Sequence, residues 1–114
     1  MKRSILIMLL LSLYCSTAAL AQSGSDYKFK TIVLDAGHGG HDTGCRGAID
    51  NEKNVTLDIV LKLGALIKKT YPGVKVIYTR QTDTFIELYE RANIANRAKA
   101  DLFVSVHCNA SKST

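Results

Sequence analysis

Three short apolar runs alternate with two stretches of helical period, and this alternation restricts the fold more than any other feature of the chain. "KTIVLDA" (Lys30 to Ala36), "VKVIYTR" (Val74 to Arg80) and "DLFVSVHCNA" (Asp101 to Ala110) are rich in β-branched and apolar residues and read as strands. From Glu52 to about Thr70, the residues Val55, Ile59, Val60, Leu63, Leu66 and Ile67 recur at three- and four-residue steps, which predicts an amphipathic helix. Asp50 or Asn51 is placed to cap it, and "YPG" (Tyr71 to Gly73) ends it. A second helix is expected to run to about Lys99, with Leu88, Ala92, Ala95 and Ala98 facing inward. Thr84 and Glu87 have the spacing of a capping box at its start. The order β-α-β-α-β predicts an α/β fold with a mostly parallel sheet and right-handed crossovers. Three strands and two helices make a thin core, so further strands are expected and the chain reads as a fragment of a larger domain.

The first residues follow a different logic. "MKRSILIMLLLSLYCSTAALAQ" has Lys2 and Arg3 ahead of an apolar run from Ile5 to Leu13 that only Ser12 interrupts. Ala19-Leu20-Ala21 then gives a small-x-small cleavage site. The pattern predicts a signal peptide over residues 1–21 and export to the periplasm or cell envelope. A spanning helix would need about 20 apolar residues. Cys15 raises a lipoprotein reading, which the bulky Tyr14 before it disfavours. Residues 22–30 form a short polar lead-in. Removing the leader takes the net charge from +5 to +3, because Lys2 and Arg3 leave and no acid does. That excess is too mild to argue for nucleic acid as a partner. Cys45 and Cys108 remain, and export would permit them to pair, but sequence alone does not fix their separation.

The chemistry is concentrated where the first strand ends. "LDAGHGGHDTG" (Leu34 to Gly44) sets two histidines and two aspartates among four glycines. A plain turn needs one or two glycines. Ligands of parallel sheets collect at the carboxyl ends of the strands. His38 ends the first strand and His107 the third, and a strand order of 2-1-3 would bring them together. Glu52 opens the first helix on the same rim. Two histidines and one glutamate form a catalytic zinc set with an open fourth position. Taken singly, each residue has a plainer reading: a strand-end histidine is often structural, and an acid in a first helical turn is favoured by the helix dipole.

Neighbouring residues admit similar double readings. His41 reads as an exposed loop histidine. Asp35 and Asp42 are placed either to orient a ligand imidazole or to cap the loop. Arg91 is four residues from Glu87 and is open to a helix salt bridge. Cys108 is expected to point away from His107. A nucleotide cradle is disfavoured, because GxGxxG fails at Asp42 and no GxxxxGK[ST] occurs.

"IVLDAGHGGHDTG", "NEKNVTLDIVLKLGALIKK" and "VIYTRQTDTFIELYERANIANRAKADLFVSVHCNA" resemble the zinc-dependent N-acetylmuramoyl-L-alanine amidases of the amidase-3 type. The likeness runs from Thr31 to Ala110, within a domain portion taken as residues 31–114. It implies a three-layer α/β sandwich with helices on both faces of the sheet. It implies one Zn2+ held by His38, Glu52 and His107, and peptidoglycan as the substrate. Arg80, Arg91 and Asn109 belong to the resemblance and, with Asp35, are the candidate substrate-binding or supporting residues. Ala36 replaces a proline common before GHGG, and Cys108 replaces a residue that is usually small. The catalytic glutamate of the family falls beyond Thr114, so no catalytic residue is assigned in this chain. The competing expectation is a wall-binding module of the same fold without activity. A regulatory or activator protein stays open as a further partner, and the sequence does not identify it.

Overall fold

The computed structural model describes residues 28–109. The leader, Cys15 and most of the polar lead-in lie outside the described residues. The elements follow the order β1 (Thr31–Ala36), α1 (Glu52–Thr70), β2 (Lys75–Tyr78), α2 (Leu88–Arg97) and β3 (Leu102–Val106). The three strands form one parallel sheet in the order β2-β1-β3. The central strand β1 sets Leu34 opposite Tyr78 and Asp35 opposite Ser105.

Alternation along β1 divides the sheet into two faces. Leu34 and Ala36 are fully buried and pack with Val60 of α1, against Leu57, Leu63 and Val104. Burial of a side chain such as Val60 is worth about 1.5–3 kcal/mol. Asp35 points to the other face, where Arg91 of α2 meets it with Nη1 2.8 Å from Oδ1. The sheet therefore has a helix on each face, as an α/β sandwich requires.

The helix termini are satisfied by other groups than expected. Asn51 is the N-cap of α1, but its side chain makes no capping bond. Instead the glycine loop supplies the acceptors: the Glu52 amide donates to the Cys45 carbonyl at 2.9 Å and the Lys53 amide to that of Thr43 at 3.2 Å. The capping box at α2 does not form. The helix starts at Leu88, so Glu87 stands at the cap itself, and the Thr84 hydroxyl pairs with that of Thr82. The helix ends at Arg97, two residues early, because Lys99 takes a left-handed backbone with φ 48°. Its inner face also differs: Leu88 and Ala92 are exposed, and the residue buried against the sheet is Arg91. At the edge of the sheet, Leu102 and Phe103 of β3 are exposed. No described helix is long and apolar enough to cross a membrane.

Candidate metal centre

The parallel topology aligns the carboxyl ends of β1 and β3. Their registered pair Ala36 and Val106 precedes the two loops that carry His38 and His107. The Gly37 amide extends the pairing by donating to the Val106 carbonyl at 3.0 Å. The two imidazoles reach a ring-centroid separation of 5.0 Å and are nearly perpendicular. Glu52, at the first residue of α1, completes the group. One ligand atom from each of His38, Glu52 and His107 lies within 4.8 Å of the others. Nε2 of His38 is 3.1 Å and Nδ1 of His107 is 3.3 Å from the same Glu52 oxygen, Oε1.

The backbone that carries these groups is unusual where it has to be. His38 itself adopts φ 61°, a left-handed conformation uncommon outside glycine. Gly44 combines φ 62° with close approach: a Cβ there would stand 2.6 Å from His38 Cδ2 and 2.7 Å from Glu52 Oε2. The glycines thus allow the loop to fold back over its own histidine, which a run of larger residues would prevent.

Hydrogen bonds orient all but one of the three groups. Nδ1 of His38 lies 2.9 Å from Asp42 Oδ2, which directs Nε2 toward Glu52. Asp42 is in turn held below the usual carboxylate range by His38 and by the Gly44 amide. Glu52 is almost fully buried. The Cys45 amide donates to Oε2 at 2.9 Å and the Cys108 amide to Oε1 at 2.7 Å. Burial opposes ionisation of Glu52, but these amides, the Cys45 side chain and nearby His38 outweigh it and bring its pKa to about 2. The group is therefore a carboxylate at any neutral pH. His107 is half exposed and faces a cleft of about 440 Å³ lined also by His38, Phe85, Ile86, Leu88 and Phe103.

The other residues singled out by the sequence take distinct places. Asp35 accepts from Thr79 Oγ1 at 2.7 Å, Ser105 Oγ at 2.6 Å and Arg91 Nη1 at 2.8 Å, making a buried network beneath the site rather than a contact to either imidazole. Arg80 donates to the main-chain carbonyls of Ala36, Gly37, Lys53 and Thr82. Arg91 donates to those of Ala36, His38 and Ile86, and its carboxylate partner is Asp35, not Glu87. Asn109 is exposed. His41 is exposed and stacks on Phe85 at 4.1 Å. Cys45 and Cys108 form no disulfide, and each brings a backbone amide to Glu52, to which Cys45 adds its side chain. Sequence reasoning missed Lys53 and Asp83, which form an ion pair beside the glycine loop. The one hint was the position of Lys53 directly after Glu52.

The donor set fits a divalent metal of the zinc type: two imidazoles and a carboxylate converge, with a cleft on one side. Fold and site define an α/β domain with a candidate metal centre at the carboxyl rim of its parallel sheet. Comparison with known proteins makes the class specific. The N-acetylmuramoyl-L-alanine amidase family model matches residues 32–114, and the chain belongs to that family. It is 51% identical over 81 residues to an endolysin of Bacillus phage SPP1, covering 71% of this chain and 30% of that protein. It is 40% identical over 83 residues to the sporulation-specific N-acetylmuramoyl-L-alanine amidase of Bacillus subtilis strain 168, covering 73% and 32%. The catalytic domain of CwlV, an N-acetylmuramoyl-L-alanine amidase from Bacillus (Paenibacillus) polymyxa var. colistinus, superposes with a TM-score of 0.70 at 42% identity. That match covers 74% of this chain and 48% of the other. The chain thus spans about a third of the length of these two curated relatives.

Proposed function

We propose that the intact protein is a zinc-dependent amidase of the cell envelope that cleaves the amide between N-acetylmuramic acid and L-alanine in peptidoglycan. The convergence of His38, Glu52 and His107 on one rim of the sheet carries this reading, and family membership supports it. Zinc bound there would polarise the amide carbonyl and lower the pKa of water. The chain's own residues prepare for that chemistry. Glu52 is held ionised by two amides, and Asp42 holds the His38 ring so that Nε2 faces the site. The cleft beside His107 has an apolar wall of Phe85, Ile86 and Phe103 and receives the scissile region of the substrate. The resemblance puts the catalytic glutamate beyond Thr114, so the activity is proposed for the whole protein. Residues 1–21 are proposed as its export signal and residues 31–114 as part of its catalytic domain.

The test is to incubate the complete gene product with isolated peptidoglycan and to identify the products by chromatography and mass spectrometry. Stem peptides with a free L-alanine amino group are expected. Cleavage only between sugars or within the stem peptide would contradict the assignment. Zinc binding and wall binding without any cleavage would favour the inactive module instead.

A further inference from the structure

The connection between β2 and α2 contributes no metal ligand, yet it reaches both segments that carry His38 and Glu52. Arg80 Nη2 donates to the carbonyl of Gly37 at 2.8 Å and to that of Lys53 at 2.7 Å. Gly37 directly precedes His38, and Lys53 directly follows Glu52. Three residues further on, Asp83 repeats the arrangement from the other side. Its Oδ1 accepts the Gly40 amide at 2.7 Å, and its Oδ2 lies 2.6 Å from Lys53 Nζ. Lys53 Nζ also donates to the Gly40 carbonyl at 2.8 Å. Both polar groups of one glycine in the histidine loop are thus taken by a single ion pair, half of which is anchored next to Glu52.

We infer that Asp83 and Lys53 are positioning residues, a latch that sets the separation of His38 from Glu52 and so the metal affinity of the centre. The inference rests on the zinc reading proposed above. The Asp83 side chain is 48% exposed. The Lys53 side chain is only 14% exposed, but solvent reaches the pair through Asp83, so screening and the entropy of ordering two side chains keep its contribution to stability small. Its effect on the site is larger, because supporting groups of a metal centre typically carry about 10–100-fold in affinity. His107 enters on β3, and none of the latch bonds reaches it. Loosening the latch should therefore spoil the relation of His38 to Glu52 while His107 stays in place.

The test compares the full chain with Asp83→Asn, Lys53→Met, the double variant and Asp83→Glu. Zinc affinity is read by competition with a chromophoric chelator. Ligand geometry is read from the visible spectrum of the Co2+ form, and stability from thermal unfolding of the metal-free chains. Each single loss is expected to weaken zinc about 10–100-fold, with altered Co2+ bands and little change in the metal-free Tm. The double variant should be no worse than the poorer single one, because the two residues act as one unit. Asp83→Glu should recover part of the affinity. If one variant fails to fold, the other carries the test. Unchanged zinc affinity in both single variants would overturn the latch while leaving the zinc reading intact. A fall in metal-free Tm that accounts for the whole loss of affinity would make the pair merely structural and overturn it too. A parent chain that binds no zinc would overturn the metal reading and the latch together.

Discussion

Gly37 and His107 are in such close contact that a methyl group on Gly37 would stand 2.3 Å from Cε1 of the imidazole. The glycine precedes one proposed ligand and forms the wall against which another rests. Gly37→Ala should therefore push the His107 ring away from Glu52. We expect zinc affinity to fall at least tenfold, within the range typical of lost support around a metal. Competition titration of the variant checks it, and wild-type affinity would show that the ring has room to adjust.

Glu52 and Asp42 both carry carboxylates near His38, but in different roles. Glu52 faces both imidazoles, whereas Asp42 touches only the far nitrogen of one. Glu52→Ala should abolish retention of zinc through dialysis. Asp42→Ala should weaken affinity about 10–100-fold and leave a measurable site. Metal content per chain after dialysis separates the two, and equal losses would contradict the division of roles.

The strand and helix order and the parallel sheet were legible in the sequence because each rests on local pattern, whereas the meeting of His38, Glu52 and His107 depended on a 2-1-3 strand order that the sequence could only suppose. Apolar period fixes element type, and parallel strands deliver their carboxyl ends to one rim. Arg91 was harder to read. Helical period put Leu88 and Ala92 inward, yet the buried member of α2 is a guanidinium, because β1 presents a carboxylate, Asp35, to that face. Charge pairing across segments has no sequence period. The same holds for Asp83 and Lys53, which meet only once β2 and α1 have been placed side by side.

The Asp35 network makes stability acid-sensitive in a defined direction. Burial opposes ionisation of Asp35, but bonds from Ser105, Thr79 and Arg91 prevail and lower its pKa below the usual aspartate value. Its stabilisation is therefore fully present above about pH 4, the unfolded range, and is lost as pH falls through the lower folded value. Asp35→Asn should destabilise the metal-free chain clearly at pH 7 and less at pH 3. Urea unfolding at the two pH values measures this, and a gap that does not narrow on acidification would count against the network.

The central claim is that His38, Glu52 and His107 together hold one zinc ion on which amide cleavage depends. The most direct measurement follows cleavage of isolated peptidoglycan by the complete gene product as zinc is stripped with a chelator and then titrated back. The account predicts that activity disappears with the metal and returns at one zinc per chain, and that neither a His38→Ala nor a His107→Ala variant recovers. Full cleavage by thoroughly metal-free protein, or recovery in either histidine variant at the same zinc concentration, would contradict it.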